Sequence, residues 1–103
     1  MAKGYWIARV DVTDPETYAR YVAANGPVFA RYGARFLVRG GRFEAVEGAA
    51  RARNVVLEFP SYQAALECYR SPEYAAAMAL RRDAGVAEIL VIEGHDGAQP
   101  GDG

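Results

Sequence analysis

Hydrophobic and polar positions divide the chain into six predicted elements. From Gly4 to Val12 they alternate: Trp6, Ala8, Val10 and Val12 form one face, and Tyr5, Ile7, Arg9 and Asp11 the other. Strand side chains alternate in this way, and both faces begin apolar, so a central strand is predicted. The pattern then changes period. Tyr18, Tyr21, Val22, Val28, Phe29 and Tyr32 recur at mostly helical spacing. Asp14 before Pro15 reads as the helix start, although Thr13 and Glu16 also fit a capping box. Asn25-Gly26-Pro27 predicts a kink or brief break, because proline removes an amide donor. Gly33 is placed as the C-terminal cap.

Ala34 to Arg39 reads as a second strand entering a double-glycine bend at Gly40-Gly41. Simple alternation puts Phe36 and Val38 on one face and Leu37 with Arg39 on the other. Phe43 to Glu47 can continue this strand, with a turn at Gly48 to Arg51 and a returning strand from Asn54 to Phe59. Ser61 caps a helix carrying Tyr62, Ala65, Leu66 and Tyr69. Ser71-Pro72-Glu73 restarts it, and the new segment holds Tyr74, Ala77, Met78 and Leu80 and ends near Gly85. Val86 to Glu93 is the last strand, and its run Ile89 to Ile92 predicts burial on both faces.

Strand, helix, strand, strand, helix, strand with right-handed crossovers gives an α+β, ferredoxin-like βαββαβ subunit. Its four-stranded antiparallel sheet is expected in the order fourth, first, third, second. Helices cover one sheet face. On the other, Ile7, Leu37, Val56 and Ile92 or Val91 form an apolar patch that sheet-to-sheet dimerisation would cover. Residues 1–94 are expected to form a single domain, and residues 95–103 a flexible tail.

Composition narrows the function classes. A chain of 103 residues fits one domain, and 51% hydrophobic content fits a globular protein. Twelve basic against thirteen acidic residues do not point to nucleic acid, and the eleven arginines are scattered along the chain. No apolar run is long enough for a membrane span, and no secretory leader opens the chain. The lone Cys68 allows no internal disulfide, so a cytoplasmic protein is expected. No metal-ligand spacing or phosphate-loop motif occurs, and no cofactor is implied.

Three charged residues interrupt apolar strands: Arg9, Arg39 and Glu58. The expected strand order lets Glu58 stand between the two arginines. One reading, the preferred one, is a structural ion-pair cluster. The other is an anion-binding pocket with one guanidinium left for a substrate carboxylate or enolate. Tyr18, Tyr21, Tyr69 and Tyr74 are packing residues or, as a cluster with Tyr5, the wall of a pocket for a planar ligand. Ser71 is a helix cap or, at the helix restart, a ligand contact. His95 at the start of the tail is a poor candidate for a base or metal ligand. Cys68 reads as a buried, inert thiol.

Four blocks together resemble a known family. They are Tyr5 to Pro15 with Tyr18 and Tyr21; Tyr32 to Gly41; Val56 to Ser61; and Tyr69 with Ser71-Pro72-Glu73-Tyr74 and Leu80-Arg81. Over about residues 4 to 94 the chain is similar to the domain-of-unknown-function family 1330. The resemblance implies a homodimeric α/β barrel of ferredoxin-like subunits. The wider superfamily includes cofactor-independent monooxygenases, muconolactone-isomerase-like enzymes and haem-degrading enzymes, but the family brings no established activity. Three functions stay open: a small-molecule-binding barrel, a cofactor-independent enzyme of monooxygenase or isomerase type, and an interaction module without chemistry.

Overall fold

A computed structural model describes residues 2–102. Met1 and Gly103, at the outer ends of the expected domain and tail, lie outside the described residues. The elements are β1 (Gly4–Val12), α1 (Pro15–Arg31), β2 (Arg35–Arg39), β3 (Arg53–Phe59), α2 (Tyr62–Tyr69), α3 (Pro72–Arg81) and β4 (Gly85–Glu93). The sheet order is β2-β3-β1-β4 with every pair antiparallel, the ferredoxin-like arrangement expected from the element order.

The helices form where caps and periodicity place them. Asp14, not Thr13, caps α1: its carboxylate accepts from the Thr17 amide at 3.2 Å. At the other end Gly33 has φ 72°, the left-handed conformation that glycine adopts without Cβ strain. The Gly33 amide donates to Ala30 O and the Ala34 amide to Phe29 O, which completes a Schellman motif. Ser61 caps α2, and Ser71 caps α3 with Pro72 at its first position. The expected break at Pro27 does not occur, and α1 runs through it. Pro27 and Ala23 are both exposed, so the carbonyl that loses its amide partner is on the watered side. Tyr18, Tyr21, Val28 and Phe29 on the other side hold both halves on the sheet.

The core lies between the sheet and the three helices. Trp6, Ala8 and Val10 of β1 meet Val55, Leu57 and Phe59 of β3 on this face. Trp6 is its centre. Its ring lies 4.9–5.5 Å from those of Phe29, Phe59, Tyr69 and Tyr74, and its indole N–H donates to Ala65 O at 2.8 Å. Edge-to-face packing at these separations adds to the burial of area.

Three further sequence expectations differ from the structure. Phe43 to Glu47 form no strand: β2 ends at Arg39, and residues 40–52 make a long connection. Its far end is drawn toward β1 and β4 rather than folding back on itself. The Arg51 guanidinium bonds Asp11 and Glu88, each at 2.7 Å, and the Ala52 amide donates to Asp11 at 2.9 Å. Strand β4 is not buried on both faces in this chain, since Leu90 and Ile92 are about half exposed. Its partners in the register place Val91, Ile89 and Ala87 under the helices and Ile92, Leu90 and Val86 on the open face.

The third correction moves Arg39. The register of β2 on β3 pairs Phe36 with Leu57 but Val38 with Val56, which leaves Leu37 as an extra residue, a β-bulge. One additional residue reverses the side-chain alternation beyond it. Arg39 therefore pairs with Val55 on the helix-covered face, the face of Phe36, and not on the open face with Val38. Its guanidinium carbon lies 4.2 Å from the Phe36 ring centroid.

Candidate functional site

Polar residues on the covered face converge on one cleft between the sheet and helix α1, reaching Arg81 at the end of α3. Its inner chamber measures about 30 Å³ and is walled by Trp6, Tyr21, Asn25, Phe29, Arg39 and Arg81 among others. Tyr18, Val22 and Arg53 belong both to this chamber and to a shallow groove of about 340 Å³ that opens outward past Val12, Pro15 and Ala19. The chamber has room for one or two water-sized groups. The groove has room for an organic ring.

Each arginine arrives by a local rule. Arg53 opens β3 in phase with Val55, Leu57 and Phe59. Arg81 falls on the α3 stripe of Tyr74 and Ala77 at i+7 and i+4. Arg39 is turned inward by the bulge. Gly40 makes space for Arg53: a Cβ there would lie 2.6 Å from the Arg53 Nη1, and its φ of 63° is one that glycine adopts readily. Gly41 meets nothing and has no such role.

The electrostatics are one-sided. Arg39, Arg53 and Arg81 line the chamber, and among the described residues no carboxylate does. The ion pairs among the described residues lie elsewhere: Arg31 with Glu73, Arg35 with Glu58, and Arg51 with Asp11 and Glu88. Arg81 is 9% exposed, and the Nε atoms of Arg81 and Arg53 are buried without a hydrogen-bond partner among the described residues. Aromatic faces provide partial compensation, with Arg81 5.3 Å from the Tyr21 ring and Arg53 5.7 Å from the Tyr18 ring. The hydroxyls of Tyr21 and Tyr74 meet at 2.7 Å in the interior. Burial, with Tyr21 beside it, raises the Tyr74 phenol well above the usual tyrosine value. Burial also raises Tyr18, against the opposing pull of Arg53.

The residues singled out in the sequence separate into two groups. Arg39, Tyr18 and Tyr21 line the chamber. Tyr74 stands behind Tyr21. Tyr69 packs between Trp6 and Tyr74, with its hydroxyl 3.8 Å from the Met78 sulfur. Ser71 is saturated as a cap, donating to Cys68 O at 2.7 Å and accepting from the Tyr74 amide at 3.1 Å. Arg9 and Glu58 are on the opposite face of the sheet, so the Arg9–Glu58–Arg39 set does not form. Glu58 pairs across from Tyr5 and Arg35, while Arg9 pairs across from Asn54. Glu58 accepts from the Tyr5 hydroxyl at 3.0 Å, and Arg9 donates to Ala49 O at 3.1 Å. The Cys68 thiol is buried and pushed up to about 12, first by burial and then by Glu73. His95 is exposed in the tail, its ring Nε2 2.9 Å from Ala98 O. Arg53, Arg81 and Asn25 were missed, although each is in phase with a buried stripe.

Comparison with known proteins agrees with this architecture. The profile of a family described as a domain of unknown function, DUF1330, matches residues 3–95. Among curated proteins none matches. Among solved structures the chain is similar to RPA0582, a protein of unknown function from Rhodopseudomonas palustris. That likeness has 23% identity and a TM-score of 0.73, over 88% of this chain and 81% of that one. It is also similar to SnoaB, a cofactor-independent oxygenase from Streptomyces nogalater, at 14% identity and a TM-score of 0.62 over 94% and 97% of the two chains. A third likeness is a dimeric ferredoxin-like protein of unknown function from Thermobifida fusca, at 16% identity and a TM-score of 0.55 over 88% and 92%. Identities this low establish a shared fold.

Proposed function

The chain belongs to the DUF1330 family, and we propose that it binds a small organic anion, carboxylate-bearing or aromatic, in the cleft between sheet and helices. One observation carries the reading: three guanidiniums line a chamber with no carboxylate among the described residues, and Arg81 is nine-tenths buried with an Nε that has no hydrogen-bond partner among them. An isolated buried charge is costly, and an anion supplies both the countercharge and the missing acceptor. The ligand's charged head fits the chamber. Its body lies in the groove against Val12, Pro15, Tyr18, Ala19 and Val22. Arg39, Tyr18 and Tyr21 contact it, Tyr74 orients Tyr21, and Tyr69 and Ser71 support the wall from behind.

An oxygenase- or isomerase-type reaction, which the likeness to SnoaB brings into view, needs a group to take a proton from substrate. Among the described residues the cleft wall has neither histidine nor carboxylate, and burial makes the Tyr18 phenol a weaker acid and a donor at neutral pH. Binding is therefore the reading that the geometry favours. We place the protein in the cytoplasm as a homodimer joined through the open sheet face, with no nucleic-acid or membrane partner. No helix among the described residues is long and apolar enough to cross a membrane.

Thermal-shift titration tests the anion site. Benzoate and salicylate are expected to raise the melting temperature by a few degrees at saturation, as ligand linkage requires, and methyl benzoate to leave it unchanged. Arg39→Gln is expected to weaken the benzoate response about tenfold, the loss of one charge-assisted contact. Equal responses to benzoate and its neutral ester would show that the arginines play no part.

A further inference from the structure

We infer that the cleft takes weakly acidic phenols and enols and holds them as their anions. The inference rests on the anion-binding reading and goes past it, because a site for a permanent carboxylate need not alter its ligand's ionisation. The groups around the chamber decide the point. Arg39, Arg53 and Arg81 offer only N–H donors and positive charge. The buried Nε atoms of Arg53 and Arg81 lack acceptors among the described residues. When Tyr74 donates to Tyr21 across their 2.7 Å contact, the Tyr21 hydroxyl keeps its own proton for the chamber. The amide oxygen of Asn25 and the tyrosine oxygens are the wall's side-chain acceptors.

A neutral phenol or enol entering head first brings another donor into a site crowded with donors. It also leaves the buried charge of Arg81 without a counterion. The same molecule as its oxyanion accepts from the donors and neutralises one charge. The site therefore favours breaking the ligand's O–H bond. The electron pair stays on oxygen, and the proton leaves to water through the outer groove. No oxidant or reductant takes part. The chamber of about 30 Å³ suits an oxyanion head, and the ring remains in the groove of about 340 Å³. Positive charges within a few ångströms lower an acid by about one to three pH units.

The test uses the full chain and 4-nitrophenol, whose phenolate absorbs in the visible and which ionises near neutrality. Protein is titrated into the dye across the acid-to-neutral range, with benzoate binding measured in parallel by calorimetry. The ionisation midpoint of bound dye is expected to fall by about one pH unit or more, a tenfold or greater preference for phenolate. Arg39→Gln and Arg81→Gln should each shrink that fall. Arg42→Gln, at an exposed site outside the cleft, should keep it. If benzoate binds but the midpoint stays where it is in free solution, the inference is overturned and the anion site stands. If neither compound binds, both readings are overturned. A fall retained in full by folded Arg39→Gln and Arg81→Gln proteins would place the effect outside the cleft and also overturn the inference. Arg39 is exposed, so its variant remains informative if Arg81→Gln does not fold.

Discussion

Arg81 shows how a residue can weaken the fold while shaping the site. It is nine-tenths buried, its Nε has no hydrogen-bond partner among the described residues, and its compensation comes from the Tyr21 ring at 5.3 Å and the Tyr74 and Tyr21 hydroxyls. Replacing a poorly paired buried charge by an apolar side chain of similar length commonly stabilises a protein. Arg81→Met is therefore expected to raise the unfolding free energy by about 1 kcal/mol, read by chemical denaturation, while abolishing the benzoate-induced thermal shift. A clear loss of stability would show that the guanidinium is satisfied in the free protein. Arg81 was legible in the sequence as a charge on the α3 stripe of Tyr74 and Ala77. Asn25 was legible in the same way, between Tyr21 and Val28 on α1, and Arg53 by its phase with Val55 and Leu57. Strand charges are the more conspicuous signal, because Arg9 and Glu58 interrupt apolar runs. Those two face away from the helices, where Arg9 and Arg35 can reach water and the chain's own carbonyl and carboxylate groups.

At the scale of elements, order and type were legible because they follow from local periodicity and capping. Register was not, because it depends on how two distant strands meet. The bulge at Leu37 is the case in point. Nothing within Ala34 to Arg39 marks the extra residue, yet it sends Arg39 to the cleft. Deleting Leu37 leaves every remaining β2–β3 pair as it is and removes a side chain that is 46% exposed. The deletion should therefore fold, change the melting temperature by only a few degrees, and retain benzoate binding, since Arg39 still opposes Val55. Deleting Val56 from β3, which has no spare residue, should reverse the faces beyond it and prevent folding. The 40–52 connection carries a second prediction. Its anchor holds Asp11 below its usual value through the Ala52 amide and then Arg51, and holds Glu88 below its usual value through Arg51. Both carboxyls are depressed in the folded chain, so their contribution is complete above the unfolded carboxylate range. It is lost as pH falls through the lower folded values. The Ala52 amide should lose hydrogen-exchange protection, relative to the amides of β1, as the solution is acidified through that range. Arg51→Ala should produce the same opening at neutral pH.

The whole molecule presents one unfinished surface. Ile7, Val38, Val56, Val86, Leu90 and Ile92 share the sheet face that no helix covers, and Val38, Val86, Leu90 and Ile92 are each 43–52% exposed. A patch of this kind on a small chain marks an interaction surface. In the proposed homodimer a second copy meets it with the same shape and chemistry, and an isologous contact needs no further component. In such a contact each substitution occurs twice. Burying a leucine contributes roughly 1.5–3 kcal/mol, and placing a carboxylate there adds a desolvation cost of similar or greater size. Leu90→Glu is therefore expected to raise the dimer dissociation constant more than a hundredfold, an effect of about 3 kcal/mol or more. Light scattering coupled to size exclusion should give a dimer for the unaltered protein at micromolar concentration and a monomer for the variant. Leu90 lies on the face away from the cleft, whose wall on β4 is Ile89. The monomeric variant should thus keep its benzoate response if the cleft is complete within one chain, and lose it if the second copy holds the sheet in the curvature that shapes the chamber. An unaltered protein that elutes as a monomer removes the dimer and leaves the cleft to be judged by its ligands alone.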